Sequence, residues 1–546
     1  MKYVSTFFMK KRIILCSLLF FFVVTAIFIR LGIVQFVYGD DISEKATESW
    51  LRDIPFEAER GNILDINGEQ LTKNVTAPTV ILIPRQITDK RHVAESLASI
   101  LHMSEEKALE YVEQNTSIVR IHPEGRKISE EQEKQLASLR LEGVYLAKDS
   151  KRYYPHEHYL AHVLGFTGID NQGLMGLELM YDEKLQGKTG SLSYYSDAKG
   201  KQISYKANVY RPPEDGLHLK TTIDLRVQSI IERELDLIDL EYNPDGALAI
   251  AVDPKTGGVL AMAARPTFHP ENYKAVDAQV FDRNLPIWST FEPGSTFKII
   301  TLAAALEEKM IDLQEDTFHD KGHVTVGGAR LRCWKAGGHG TQSMLEVVEN
   351  SCNPGFVQIG TLLGDEKLFR YIEQFGFGTK TGIDLAGEGT GILFDREQIG
   401  PVELATTSFG QGVSVTPIQQ VMAVAAAVNG GYLFEPFIAA EWIDPVTGET
   451  VEKREPKVKR QVISSDTSKE VRYALESVVA KGTGRPAYID GYRVGGKTGT
   501  AQKVGEDGTY LKDNHIVSFI GFAPADDPQI VVFVAVDNPK DTIQFG

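Results

Sequence analysis

The sequence predicts a membrane-anchored protein whose outer part is α+β: one apolar helix, then a mixed region, then an antiparallel sheet flanked by helices. Three observations carry this. Residues 13–29 (IILCSLLFFFVVTAIFI) are apolar apart from Ser17 and Thr25, and roughly 20 such residues span a bilayer core. Residues 246–252 and 258–263 are apolar stretches joined by Asp253-Pro254-Lys255-Thr256-Gly257, a hairpin signal. A second strand pair, 516–522 and 529–536, lies near the end of the chain with mostly helical sequence between, so one sheet with helices packed on it is expected.

The anchor comes first in chain order. Lys2, Lys10, Lys11 and Arg12 precede it, while Asp40 and Asp41 follow. The positive-inside rule therefore places residues 1–12 in the cytoplasm, residues 13–38 in the membrane and the remainder outside. Arg30 interrupts the run before it resumes as LGIVQFVY, close enough to the interface to snorkel. A cleaved signal peptide ends in small residues, whereas this run ends in Ile-Phe-Ile-Arg, which favours an uncleaved anchor. The chain of 546 residues carries 58 Lys and Arg against 74 Asp and Glu, a net charge of −16. That balance argues against a nucleic-acid partner. Three cysteines, Cys16, Cys333 and Cys352, exclude a disulfide-dense scaffold and a four-cysteine metal cluster.

Residues 50–215 form the first outer domain. Residues 55–71 open it, with Asn67-Gly68 as a turn between short extended stretches. Residues 129–138 read as helix, and 210–216 (YRPPEDG) as a linker. Residues 224–238 show amphipathic spacing through Leu225, Ile230, Ile231 and Leu235. Residues 240–546 make the second domain.

The chemistry lies in that second domain. In residues 291–302 (FEPGSTFKIITL), Pro293 and Gly294 break the chain, and Ser295 is expected to open an apolar helix. A helix N-terminus favours developing negative charge, and Lys298, three residues on, can reach the serine hydroxyl as a desolvated base. Chance alone supplies about two Ser-x-x-Lys matches in such a chain. Here there are three, and Ser104/Lys107 and Ser196/Lys199 lack the break and the apolar helix. Ser351-Cys352-Asn353 follows a helical stretch and precedes Pro354-Gly355, so its serine and asparagine sit at a helix-to-loop corner facing one site. Lys497-Thr498-Gly499-Thr500 reads as an edge strand suited to a peptide carboxylate. Lys-Thr-Gly also occurs at 188–190, 255–257 and 380–382, in turn contexts.

In that order the three elements resemble the motifs of the penicillin-recognising serine acyltransferases. Arg60-Gly61-Asn62-Ile63-Leu64-Asp65, Gly176-Leu177-Glu178 and Phe409-Gly410-Gln411-Gly412 with Thr416-Pro417 resemble further segments of class B penicillin-binding proteins. RLRCWKAGGHG, NSCNPGF and TIQFG resemble the sporulation-specific branch of that class. The resemblance implies an elongated pedestal of the dimerisation type and a penicillin-binding transpeptidase domain. It implies a D,D-transpeptidase that takes peptidoglycan stem peptides ending in D-Ala-D-Ala and is trapped by β-lactams. Ser295 would be the nucleophile, Lys298 its base and Ser351 a proton relay. Asn353 would hold the acyl side chain; Lys497, Thr498, Gly499 and Thr500 would hold the carboxylate. The backbone N–H groups of Ser295 and Thr500 would form the oxyanion hole. No cofactor or metal is implied. A separate glycosyltransferase and a thiol-disulfide reductase are the implied protein partners, and spore cortex synthesis in the forespore-surrounding space is the implied setting. Proteins of the family continue beyond this point into a helix that covers the sheet, so the domain is expected to lack its last piece.

Other readings stand beside these. His156, Glu157, His158 and His162 read as solvated or packed side chains rather than metal ligands. Cys333 and Cys352 read either as two small buried hydrophobes or as a redox pair closing a 20-residue loop and displacing Ser351 or Asn353. A vegetative septal or elongation transpeptidase, a membrane-bound penicillin sensor or β-lactamase, and a cell-wall-machinery scaffold remain alternative functions.

Overall fold

The structure of the chain, a computed structural model, describes residues 6–42, 45, 51–116, 118–195, 209–505 and 509–544. Ser196 and Lys199 lie outside the described residues, as do Phe545 and Gly546. The chain divides into two compact units, residues 1–59 with 187–215, and residues 60–186 with 216–546.

In the first unit, α1 (Thr6–Phe36) starts before the apolar run, because helical hydrogen bonding continues through Lys10, Lys11 and Arg12. Its 31 residues rise about 46 Å at 1.5 Å each. It is long and apolar enough to cross a membrane, and its apolar side chains are exposed. The unit also holds a three-stranded antiparallel sheet, with Gly190–Tyr195 between Leu51–Phe56 and Val209–Arg211. The linker expected at 210–216 is thus partly a strand: Tyr210 pairs with Leu192, and only from Pro212 on does the missing N–H end the ladder.

In the second unit, Thr79–Leu82 lies between Val119–Arg120 and Val144–Ala147. Helices Lys90–Leu101, Glu105–Glu113 and Glu130–Leu139 close a small core around Val80, Leu97, Val112 and Leu136. Ser104 caps the second of these helices, and Lys107 pairs with Glu124 at 2.6 Å, so this Ser-x-x-Lys has a structural task. Two of the resembling motifs meet in a buried ion cluster. Glu178 accepts from Arg60 Nε at 2.7 Å and from Arg152 Nε at 2.6 Å.

The principal sheet has five strands: β1 (Gly246–Val252), β2 (Val259–Arg265), β3 (Gly495–Val504), β4 (Tyr510–Ala523) and β5 (Ile530–Asp537). Their order is β2-β1-β5-β4-β3, antiparallel throughout. The two expected strand pairs are therefore joined by β1 against β5, and β3 is an edge. Side-chain alternation settles which face each residue takes. Ala247, Ala249 and Ala251 pack against Ile231 and Leu235 of α2 (Leu225–Tyr242). Ile230, expected with them, is exposed, since its neighbour Ile231 takes the sheet-facing position. Leu248, Ile250 and Val252 face the opposite way and join the larger core with Ile300 and Val424.

Candidate active site

The site starts from a conformational requirement at Gly294. Its φ is +52°, and a Cβ there would lie 2.9 Å from the Thr500 carbonyl oxygen, so only glycine lets this turn rest on β3. The helix does not open at Ser295 as expected. Gly294–Thr296 is one 3₁₀ turn, and α3 (Lys298–Glu307) follows it. Thr296 Oγ1 donates to the Pro293 carbonyl at 2.8 Å, which holds the turn tight. Thr296, Phe297 and Lys298 are buried, while Ser295 stays partly exposed.

Lys298 is buried, and its Nζ lies 2.8 Å from the Ser351 carbonyl oxygen, 3.2 Å from Ser351 Oγ and 2.6 Å from Asn353 Oδ1. The sequence places this amine on the Ser295 hydroxyl. Among the described contacts it is held by the Ser351–Asn353 corner instead, because three acceptors there match the three N–H donors of an ammonium. Burial pushes its pKa down to about 7. When neutral it carries a lone pair, and the Ser351 hydroxyl can then donate to it.

The corner joins α4 (Met344–Glu349) to α5 (Asn353–Gln374). Pro354 does not end structure here. It sits in the first turn of α5, where a missing N–H costs nothing. Ser351 takes φ +51°, a conformation costing about 1–3 kcal/mol for a side-chain-bearing residue. That backbone directs both Ser351 oxygens at Lys298. Asn353 Nδ2 donates to the Arg332 carbonyl at 3.3 Å.

Lys497 lies on edge strand β3, fully buried, with Nζ donating to the Thr498 carbonyl at 3.1 Å. Burial pushes its pKa far down, and repulsion from Lys298 adds to this. Both shifts disfavour the ammonium form, and a nearby anion would favour it. Gly499 is buried, close to Thr296 and Ser518. Thr498 Oγ1 lies 3.5 Å from Thr483 Oγ1, and Thr498 and Thr500 are partly exposed. The other Lys-Thr-Gly triplets are in different settings. Lys188 pairs with Glu214, Lys255 with Asp527, and Thr381 is bound to Glu388.

Cys333 and Cys352 are free and buried, and their sulfurs lie within 4.8 Å of each other. The nearby Cys352 thiol lowers the pKa of Cys333, while the Cys352 thiol is pushed up by Cys333 and by burial. Two residues that sequence reading missed surround them. Asp320 Oδ2 lies 2.9 Å from His339 Nδ1 and accepts from Cys352 Sγ at 3.4 Å, and Cys333 Sγ lies 3.4 Å from His339 Nδ1. Burial works against the Asp320 charge, yet the nearby Cys333 thiol and hydrogen bonds from His339 and the Gly322 backbone hold its pKa at about 2. The only local signal was Cys333 and His339 six apart across Gly337-Gly338. By contrast, His162 Nε2 faces the Val280 carbonyl at 2.7 Å and His158 lies 3.8 Å from Asp236, so those rings point to separate partners.

Comparison with known proteins follows the same lines. A family profile described as the penicillin binding protein transpeptidase domain matches residues 247–545, and one described as the penicillin-binding protein dimerisation domain matches 55–221. Stage V sporulation protein D of Bacillus subtilis (strain 168) is 61% identical over 543 residues, covering 100% of this chain and 84% of that one. Peptidoglycan D,D-transpeptidase FtsI of Escherichia coli (strain K12) is 28% identical, over 95% of this chain and 85% of that one. Among solved structures, penicillin binding protein 2X from Streptococcus thermophilus has a TM-score of 0.73 at 24% identity, over 90% and 78% of the two chains. Penicillin binding protein 3 from Mycobacterium tuberculosis, complexed with ampicillin, has a TM-score of 0.69 at 26% identity, over 89% and 90%.

Proposed function

The chain belongs to the penicillin-binding protein transpeptidase family, and we propose that it is a peptidoglycan D,D-transpeptidase working through a Ser295 acyl-enzyme in spore cortex synthesis. The observation that carries this is the dry Lys298 amine, one turn from a partly exposed Ser295 and gripped by Ser351 and Asn353.

Ser295 Oγ attacks the penultimate D-Ala carbonyl of a stem peptide while neutral Lys298 takes its proton. The Ser351 hydroxyl passes a proton from Lys298 to the departing D-Ala amine. Asn353 holds the acyl chain's amide, and Lys497, Thr498, Gly499 and Thr500 line the place of the terminal carboxylate. That carboxylate favours the ammonium form of Lys497, against which burial works. Backbone N–H groups of Ser295 and Thr500 stabilise the oxyanion, a contribution of about 3 kcal/mol per donor. An amine of a neighbouring stem then takes the acyl group, and Ser295 recovers its proton. A β-lactam presents the same carbonyl and stays attached.

In this reading residues 1–12 are cytoplasmic, 13–38 the anchor, 50–215 the pedestal and 240–546 the transpeptidase domain, with the bulk outside the membrane. A separate glycosyltransferase supplies the glycan strands. Cys333 and Cys352 act as a redox pair: oxidation by an extracytoplasmic disulfide joins the sulfurs, moves Ser351 and Asn353, and is reversed by a thiol-disulfide reductase.

Fluorescent penicillin tests both parts. Reduced protein is expected to give one adduct, mapping to Ser295, and oxidised protein to label at least about tenfold more slowly, since small misplacements of catalytic groups cost that or more. An adduct elsewhere overturns the nucleophile, and equal labelling in both states overturns the switch.

The acylation rate also reports on Lys298. Its neutral form is the base, and its pKa sits at about 7. The rate is expected to rise about tenfold per pH unit below that value and to level off above roughly pH 8. A flat profile between pH 5.5 and 9, or a midpoint near that of free lysine, rejects Lys298 as the base.

A further inference from the structure

We propose that Asp320, Cys333, His339 and Cys352 form a binding site for a tetrahedrally coordinated transition-metal ion, with Zn²⁺ the preferred occupant. Each residue presents one donor atom, and the four atoms all lie within 4.8 Å of one another. Around zinc, bonds of about 2.3 Å to sulfur and 2.0–2.2 Å to nitrogen or oxygen give tetrahedron edges of about 3.3–3.8 Å. Two edges already fall there: Cys333 Sγ to His339 Nδ1 and Cys352 Sγ to Asp320 Oδ2, both 3.4 Å. The third measured edge, His339 Nδ1 to Asp320 Oδ2, is 2.9 Å and opens by a few tenths of an ångström.

The donor set is two thiols, an imidazole and a carboxylate, a borderline-soft mixture that suits zinc over magnesium or calcium. The Asp320 and His339 side chains are 0% and 4% exposed, and both cysteines are buried, so the set is closed as in structural zinc sites.

Backbone structure brings the four together. Strand Thr317–Asp320 pairs with Gly340–Ser343, with Asp320 opposite Gly340, and this puts His339 beside the carboxylate. The hairpin His323–Val326 with Ala329–Arg332 returns the chain to its base, where the Cys333 N–H donates to the Gly322 carbonyl at 2.9 Å. Gly338 has φ +79°, and a Cβ there would lie 2.4 Å from the Asp320 carbonyl oxygen. Asp320 Oδ1 is occupied by the Gly322 N–H at 2.8 Å, which aims Oδ2 at the cluster. Cys352 arrives from the far side, at the start of α5.

Binding moves protons and no electrons. The two thiols release their protons to the buffer, each sulfur donates a lone pair, and zinc remains Zn²⁺. The ion uses the sulfurs that a disulfide would use, so the metal-bound and disulfide states exclude each other. Cys352 stands between Ser351 and Asn353, so an ion on its sulfur ties the corner that grips Lys298 to the 320–340 segment. This makes the metal a positioning device, independent of which residue is the nucleophile.

The test uses the full-length chain, reduced and solubilised in detergent, incubated with Zn²⁺ and desalted. About one zinc per chain is expected, against less than roughly a tenth in Cys333→Ser and in His339→Ala. A second measurement avoids variants altogether. Co²⁺ added to the unaltered chain should give a sulfur-to-cobalt charge-transfer band with tetrahedral ligand-field bands, and Zn²⁺ should protect both buried cysteines from alkylation until a chelator is added. Zinc retained equally by the variants, no zinc in any form, or cobalt without a charge-transfer band overturns the site. Penicillin labelling of the same samples separates the two readings: an adduct at Ser295 without zinc uptake removes only the metal site, and zinc uptake without an adduct removes only the acyl-enzyme.

Discussion

Ser295→Ala is expected to reduce peptidoglycan cross-linking by about 10⁴–10⁶-fold and to abolish the penicillin adduct, the scale seen when an acyl-enzyme nucleophile is removed. The loss should be chemical only. Ser295 is partly exposed in a three-residue turn whose shape is held by Gly294 and the Thr296–Pro293 hydrogen bond. Unfolding free energy should therefore stay within about 0.5 kcal/mol of the parent. Measuring cross-linking of defined stem peptides beside a thermal melt separates the two effects. Normal cross-linking by the alanine variant would mean that another residue of the chain is the nucleophile.

The second large effect concerns stability. Glu178→Ala is expected to destabilise the second unit by about 3–5 kcal/mol, because it leaves the buried Arg152 guanidinium without a counter-charge and Arg60 with Asp182 alone. The side chains of Glu178, Arg60 and Arg152 are 0%, 2% and 1% exposed. The remaining contacts replace the carboxylate only for Arg60, which keeps an ion pair with Asp182, while the other partners of Arg152 are neutral. Arg60 also reaches Asp182 at 2.6 Å and the Glu178 carbonyl at 2.8 Å; Arg152 reaches Asn74 at 3.0 Å and the Gly61 carbonyl at 2.8 Å. Glu178→Gln keeps acceptor and size but loses the charge, so it should fall between parent and alanine. Denaturant unfolding of the three proteins decides this. A loss below about 1 kcal/mol for Glu178→Ala would show that solvent reaches the cluster.

Much of this arrangement is legible along the chain. The apolar run with its flanking lysines reads as an anchor because bilayer thickness and charge asymmetry act on contiguous residues. The Pro-Gly break ahead of Ser295, the serine–asparagine pair and the Lys-Thr-Gly-Thr strand are equally local. Their order resembles one family strongly enough to name the chemistry. Where local reading misjudged the detail, packing explains it. Ser295 precedes the helix because the turn must fit against β3, and Pro354 opens α5 because the first helical turn tolerates proline.

The partners of the buried charges are a different matter. Lys298 and Ser351 are 53 residues apart, and Arg60 and Glu178 are 118 apart. No periodicity or turn rule connects such positions, and which acceptor a desolvated amine finds depends on every element packed around it. Asp320 and His339 meet the cysteines only because one strand pairing and one hairpin close upon the start of α5. Sequence alone was enough for the anchor, the motif order and the reaction class, since each rests on neighbouring residues. The lowered Lys298 pKa and the four-residue cluster beside it arise from burial and long-range contact, which exist only once the chain has folded.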